Sequence, residues 1–154
     1  MTTYFAYGSN MNRALMGRHC PHATALGKAV LAGWRFMITT DGYASIAPAP
    51  GHDVHGVMWR LTPRDLAGLN VYESVDSGLY RSRILAVRAE GRRMAAMVYI
   101  ARSRPPGRPK PGYLDLVLAA ARDWQLPPDY VRALARWGAG GQKNMRVGEP
   151  GDIA

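Results

Sequence analysis

An α+β domain built on a curved sheet or small barrel of about six strands is what this sequence predicts, and three observations predict it. Extended, β-favouring runs fill most of the first hundred residues. A helix with a strong start signal is inserted among them without regular alternation, and two amphipathic helical patterns are appended after them. At 154 residues, 47% hydrophobic and 20% charged, the chain fits one domain, able to bury roughly two-thirds of its unfolded surface. We place that domain at residues 1–137 and read 138–154, with five glycines and a proline, as a flexible C-terminal tail.

Tyr4 to Tyr7 form the first strand, because tyrosine and phenylalanine favour an extended chain. Gly8-Ser9-Asn10 then turns the chain into a helix marked by Met11, Leu15 and Met16, with Ser9 or Asn10 as its cap. The helix fades before His19-Cys20-Pro21-His22, since proline disfavours helix in the residue before it. Ala23 to Leu31 and Trp34 to Thr39 read as strands, and Ala44 to Ala47 as a short one ended by Pro48 and Pro50. His55 to Leu61 is a further strand. Thr62 then caps a helix with Pro63 at its first position and Asp65 in its first turn, ending near Glu73. Tyr80 to Ala89 and Arg93 to Ala101 are split by Glu90-Gly91, a hairpin signal. Beyond the proline-rich linker Arg102 to Pro111, Tyr113 to Trp124 buries Leu114, Val117, Leu118 and Ala121. Pro128 to Trp137 buries Tyr130, Leu134 and Trp137.

Composition excludes several function classes. No apolar run approaches the ~20 residues that cross a bilayer, and no secretory pattern opens the chain. A single cysteine, Cys20, permits no internal disulfide and suits a reducing cytoplasm. The net charge of +9 raises the question of an RNA partner. Four basic residues sit together in Arg102 to Lys110, while the others are scattered without a stacked-aromatic motif, which argues against nucleic acid.

Few residues are candidates for chemistry. Leu66, Leu69 and Glu73 fall at i, i+3 and i+7, which places the Glu73 carboxylate on the buried face of its helix. Burial and the negative end of the helix dipole both raise a carboxyl pKa, which makes a usable proton acceptor. The structural alternative is a frayed helix end, with Glu73 capping it or pairing with Arg81. Asp76 is a rival carboxylate in a turn of the kind aspartate stabilises. Gly8-Ser9-Asn10, at a strand-to-helix junction, presents backbone N–H groups suited to anionic oxygens, or is an ordinary turn. The cluster His19, Cys20 and His22, with His52 and His55, has the ligand types but not the spacing of a zinc site, so no metal or other cofactor is expected. Cys20 has no orienting third group for a nucleophile's role, and Ser9 lacks the G-x-S-x-G elbow. The four tryptophans, Trp34, Trp59, Trp124 and Trp137, are assigned to core packing.

Taken together, Y-F-A-Y-G-S-N (Tyr4 to Asn10), D-V-H-G-V-M-W (Asp53 to Trp59), L-x-x-L-x-x-x-E ending at Glu73, the S-G-L-Y that follows, and L-P-P-D-Y (Leu126 to Tyr130) resemble the γ-glutamylcyclotransferase family, in order and in spacing. The resemblance runs from about Tyr4 to Trp137. It implies a small mixed β-barrel with peripheral helices, and an enzyme that releases 5-oxoproline from a small γ-glutamyl compound by attack of the substrate's own α-amine. It implies Glu73 as the catalytic residue, Tyr7, Gly8, Ser9 and Asn10 as the substrate loop, and Tyr80 and Tyr113 as ligands or walls of the glutamyl pocket. The loop reads Y-G-S-N rather than the Y-G-S-L of the glutathione-specific branch, which points away from glutathione itself. Members of the family can form homodimers; no stripe in this chain marks an interface. Two other readings stand beside it: a non-catalytic metabolite-binding protein on the same fold, and a basic RNA-associated module.

Overall fold

A computed structural model describes residues 1–73, 79–102 and 105–139. Five strands close a barrel in the order β1-β3-β2-β4-β5. They are β1 (Thr2–Ala6), β2 (Thr24–Ile38), β3 (Ala44–Leu61), β4 (Tyr80–Ala89) and β5 (Arg92–Ala101). Neighbours are antiparallel except β1 and β5, which meet in parallel at Tyr4 and Met97 and so make the barrel mixed. Among the described residues four helices surround it: α1 (Arg13–His19), α2 (Pro63–Tyr72), α3 (Tyr113–Asp123) and α4 (Pro128–Ala139). Among the described residues, no helix is long and apolar enough to cross a membrane.

The strand count falls below the expected six because predicted breaks are bulges within long strands. Ala32 pairs with Asp53 and Trp34 with Pro48, so residues 49–52 bulge out opposite Gly33 alone. Gly33 stands at φ 84°, a conformation other residues adopt only with strain. The prolines therefore interrupt the ladder without ending β3, consistent with their lack of an N–H to donate. The Glu90-Gly91 hairpin forms as expected, with both residues at positive φ and Ala89 paired to Arg92.

Two helix ends differ from expectation. Neither Ser9 nor Asn10 caps α1: Ser9–Met11 form a 3₁₀ turn, and the Asn12 side chain accepts from the Leu15 N–H at 2.9 Å. Helix α4 runs on to Ala139, two residues past Trp137, and the rest of the expected tail lies outside the described residues. Helix α2 begins as predicted. The Thr62 hydroxyl accepts from the Asp65 N–H at 3.1 Å, and the Asp65 carboxylate accepts in return from the Thr62 N–H at 3.3 Å.

The core is continuous from the barrel to the helices. Phe5, Leu31, Val54, Val57, Leu61, Leu69, Val87, Val98, Val117 and Leu134 are all buried within it. Trp59 is buried, and Trp34, Trp124 and Trp137 pack half-buried against the same cluster. The Trp124 indole N–H donates to the Met11 carbonyl at 2.7 Å, and the Arg13 guanidinium lies 3.6 Å from the Trp124 ring centre. These contacts pin the turn after β1 against the end of α3. Removing the Thr62 cap tests how firmly α2 is set: Thr62→Ala should cost about 1 kcal/mol, read as a lower urea midpoint with an unchanged slope.

Candidate active site

The chain leaving β1 passes through Gly8 into the 3₁₀ turn, whose hydrogen bonds run from Met11 N–H to Gly8 carbonyl and from Asn12 N–H to Ser9 carbonyl. The amides of Ser9 and Asn10 precede those bonds, as the first N–H groups of any helical turn do. Gly8 is not at positive φ (−117°), so the reason for glycine is space. A Cβ there would stand 3.0 Å from the Tyr113 hydroxyl and 3.2 Å from the Ala44 Cβ.

Glu73 sits at the C-cap of α2, its N–H bonded to the Leu69 carbonyl at 2.9 Å. The helix does not fray before it, and its carboxyl turns inward with Leu69; Glu73 is 8% exposed and Leu69 fully buried. The Asn10 side-chain amide donates to Glu73 Oε1 at 3.0 Å and reaches the Tyr4 hydroxyl at 3.0 Å. Burial pushes the Glu73 pKa up to about 8, against a smaller lowering by the Asn10 hydrogen bond. Glu73 is therefore mainly a neutral carboxylic acid at pH 7.

Tyrosines wall the hollow between Glu73 and the Gly8 turn. The Tyr7 hydroxyl donates to the Tyr99 carbonyl at 2.6 Å, and the Tyr80 hydroxyl to the Ala44 carbonyl at 2.7 Å. The Tyr113 hydroxyl accepts from the Ala44 N–H at 3.2 Å. Desolvation first, and the Glu73 charge among the lesser causes, holds the phenols of Tyr4, Tyr7, Tyr80, Tyr99 and Tyr113 above their ordinary pKa. They act as neutral hydrogen-bonding groups. The Oδ1 atom of Asn10 is buried beside them with no partner among the described residues.

The seven residues that the resemblance implies, Tyr7, Gly8, Ser9, Asn10, Glu73, Tyr80 and Tyr113, all line this one hollow. Tyr4, Ala44 and Tyr99 line it too and were missed. Tyr4 carried a signal, since it lies within the same Y-F-A-Y-G-S-N run; Tyr99 and Ala44 are ordinary strand residues brought in by pairing. The rival Asp76 lies outside the described residues. The free volume is about 30 Å³, room for roughly two waters.

Of the histidine and cysteine cluster, His19, His55 and Cys20 take packing positions, while His22 and His52 are exposed. His19 stacks on Tyr72 with ring centres 3.7 Å apart, and His55 lies against Tyr130. Cys20 is buried, its thiol 3.5 Å from the Asp65 carbonyl, and burial raises its pKa to about 11, which suppresses the nucleophilic thiolate. Among the described residues, no three histidine, cysteine, aspartate or glutamate side chains gather as a metal site would require.

A barrel of this topology, carrying a buried glutamate against a glycine turn, defines a class, and comparison with known proteins assigns it. The chain belongs to the family described as gamma-glutamyl cyclotransferase, AIG2-like, whose model matches residues 4–126. It is 28% identical to a Mus musculus protein named gamma-glutamylcyclotransferase over 142 residues, covering 85% of this chain and 76% of that one. The Homo sapiens protein of the same name is 27% identical over the same span. A solved structure of a protein named gamma-glutamyl cyclotransferase superposes with a TM-score of 0.82 at 24% identity, covering 99% of this chain and 93% of that one, and bears on the fold alone. YkqA from Bacillus subtilis superposes at 0.80 with 26% identity, covering 96% of this chain and 56% of that one.

The raised Glu73 pKa has a signed consequence for stability. The native state holds a proton that the unfolded state releases between about pH 4.5 and 8, so stability falls as pH rises through that window and levels off above it. Glu73→Gln should remove this slope and leave the variant more stable than wild type at pH 8.5, by at least ~1 kcal/mol in urea unfolding.

Proposed function

We propose that this protein is a γ-glutamylcyclotransferase-like enzyme acting on a γ-glutamyl amino acid or γ-glutamyl amine. The substrate's α-amine attacks its own γ-carbonyl, a nitrogen–carbon bond closes the five-membered ring of 5-oxoproline, and the original amide bond breaks to free an amine. The observation that carries this reading is the buried Glu73 carboxyl facing the Gly8–Asn10 turn across one hollow. Membership of the family supports it.

An α-ammonium does not attack until it loses a proton. Glu73 in its ionised form takes that proton and returns it to the departing amine, one group serving as base and then acid. A cation brought beside the carboxyl favours the ionised form, so substrate binding lowers the pKa that burial had raised. The Asn10 Oδ1, without a partner among the described residues, is a second acceptor for the same ammonium. Nucleophile and electrophile belong to one molecule, so the pocket contributes mainly by folding the glutamyl chain into a near-attack shape. The amides after Gly8 suit the substrate carboxylate and the tetrahedral oxyanion, the latter an effect worth about 3 kcal/mol in other oxyanion holes.

The Tyr113 hydroxyl, now held by the Ala44 N–H and crowded onto Gly8, occupies ground that a glutamyl group needs. Substrate binding displaces it, and the substrate's oxygens inherit its donors.

Incubating the protein with γ-glutamyl dipeptides and γ-glutamyl amines should release 5-oxoproline, detected chromatographically. Glu73→Gln should cut kcat at least about a hundredfold; wild-type turnover in that variant would refute Glu73 as the base. Because kcat/KM reports groups of the free enzyme, it should rise with pH and level off above about 8, where Glu73 ionises. Gly8→Ala should lower kcat/KM at least about tenfold with little loss of fold, since its Cβ crowds the place that substrate oxygens would take.

A further inference from the structure

The β4–β5 hairpin carries an anomaly on the face opposite the hollow. Arg81 pairs with Ile100, Arg83 with Val98, Leu85 with Ala96 and Val87 with Met94. Paired and alternate residues share a face of a sheet, so Arg81, Arg83, Leu85 and Val87 lie on one side with Ala96, Val98 and Ile100. On that side Val87, Ala96, Val98 and Ile100 are buried, while Arg81 and Arg83 are exposed. Two arginines thus stand where the strand would continue its apolar face. Arg102, two residues beyond Ile100, falls on the same side. Tyr80 and Tyr99, which wall the candidate active site, fall on the other.

The arginines have somewhere to point. Strand β2 meets β4 at Val30 and Arg88, and beyond that pair the strands part around a cleft of about 220 Å³. Arg81, Arg83 and Arg102 line one wall; Trp34, Met37, Ser45 and Ile46 line the other. The Arg83 guanidinium lies 5.7 Å from the Trp34 ring centre. No described carboxylate pairs with any of the three arginines.

We propose that this cleft is a second ligand site, for a small oxyanion carrying two or more negative charges. Three like charges facing one concavity raise a positive potential that a multiply charged anion relieves. Guanidinium groups match phosphate and carboxylate oxygens in a bidentate fork, and Trp34 gives the Arg83 plane a surface to lie against. The cleft is a pit between strands rather than a track, which favours a small anion over a nucleic-acid strand. Nothing in this proposal depends on the reaction assigned to Glu73.

The test is calorimetric titration of the full chain with pyrophosphate at low ionic strength. One-to-one saturable binding is expected, weakened at least tenfold in Arg81→Ala/Arg83→Ala. Arg92→Ala/Arg93→Ala, which removes the same charge from the exposed far end of the hairpin, should bind within twofold of wild type. If the first double variant does not fold, Arg83→Lys keeps the charge and loses the fork, and should weaken binding at least threefold. Absence of saturable binding to wild type would overturn the proposal, as would equal weakening by both double variants, or retention of single-stranded RNA that pyrophosphate does not displace.

Discussion

One hydrogen bond, from the Asn10 amide to the Glu73 carboxyl, joins two parts of the chain that local structure alone would never bring together. On one side is the turn after the first strand, held by Trp124 and by its own 3₁₀ bonds. On the other is the last residue of a helix whose start is fixed by the Thr62–Asp65 capping box and whose middle is anchored by buried Leu69. The barrel between them serves to hold this distance. If either support slipped, the carboxyl would reach water and lose its raised pKa.

That property is a balance between desolvation and hydrogen bonding. Burial costs the ionised carboxyl more than Asn10 gives back, so Glu73 rests as an acid poised to ionise near pH 8. Four buried phenols and the partly buried Tyr113 around it add polarity without charge, and none of them competes for the proton at neutral pH. The arrangement is unfavourable for stability at high pH and suited to moving one proton over a short path. Such a conflict between stability and chemistry is expected where a site, not the fold, dictates the residue.

Motifs whose meaning is local were legible in the sequence. The capping residues of α2, the Glu90-Gly91 turn and the i, i+3, i+7 spacing that turns Glu73 inward each follow from neighbours along the chain. What depended on pairing across the barrel was not legible. The bulge of residues 49–52 opposite Gly33 merged strands that Pro48 and Pro50 had seemed to separate. Asn12 rather than Ser9 or Asn10 took the cap, because the 3₁₀ turn inserted one more step before α1. Tyr99 and Ala44 enter the hollow through register alone, and register likewise sets Arg81 and Arg83 on one face of their hairpin.

The most direct test of the account is a crystal structure with a non-cleavable γ-glutamyl analogue bound. The analogue's carboxylate should take hydrogen bonds from the turn after Gly8, the Tyr113 hydroxyl should have left its place beside the Ala44 N–H, and the analogue's ammonium should lie within hydrogen-bond distance of Glu73. An analogue seated elsewhere, or an ammonium out of reach of that carboxyl, would contradict it.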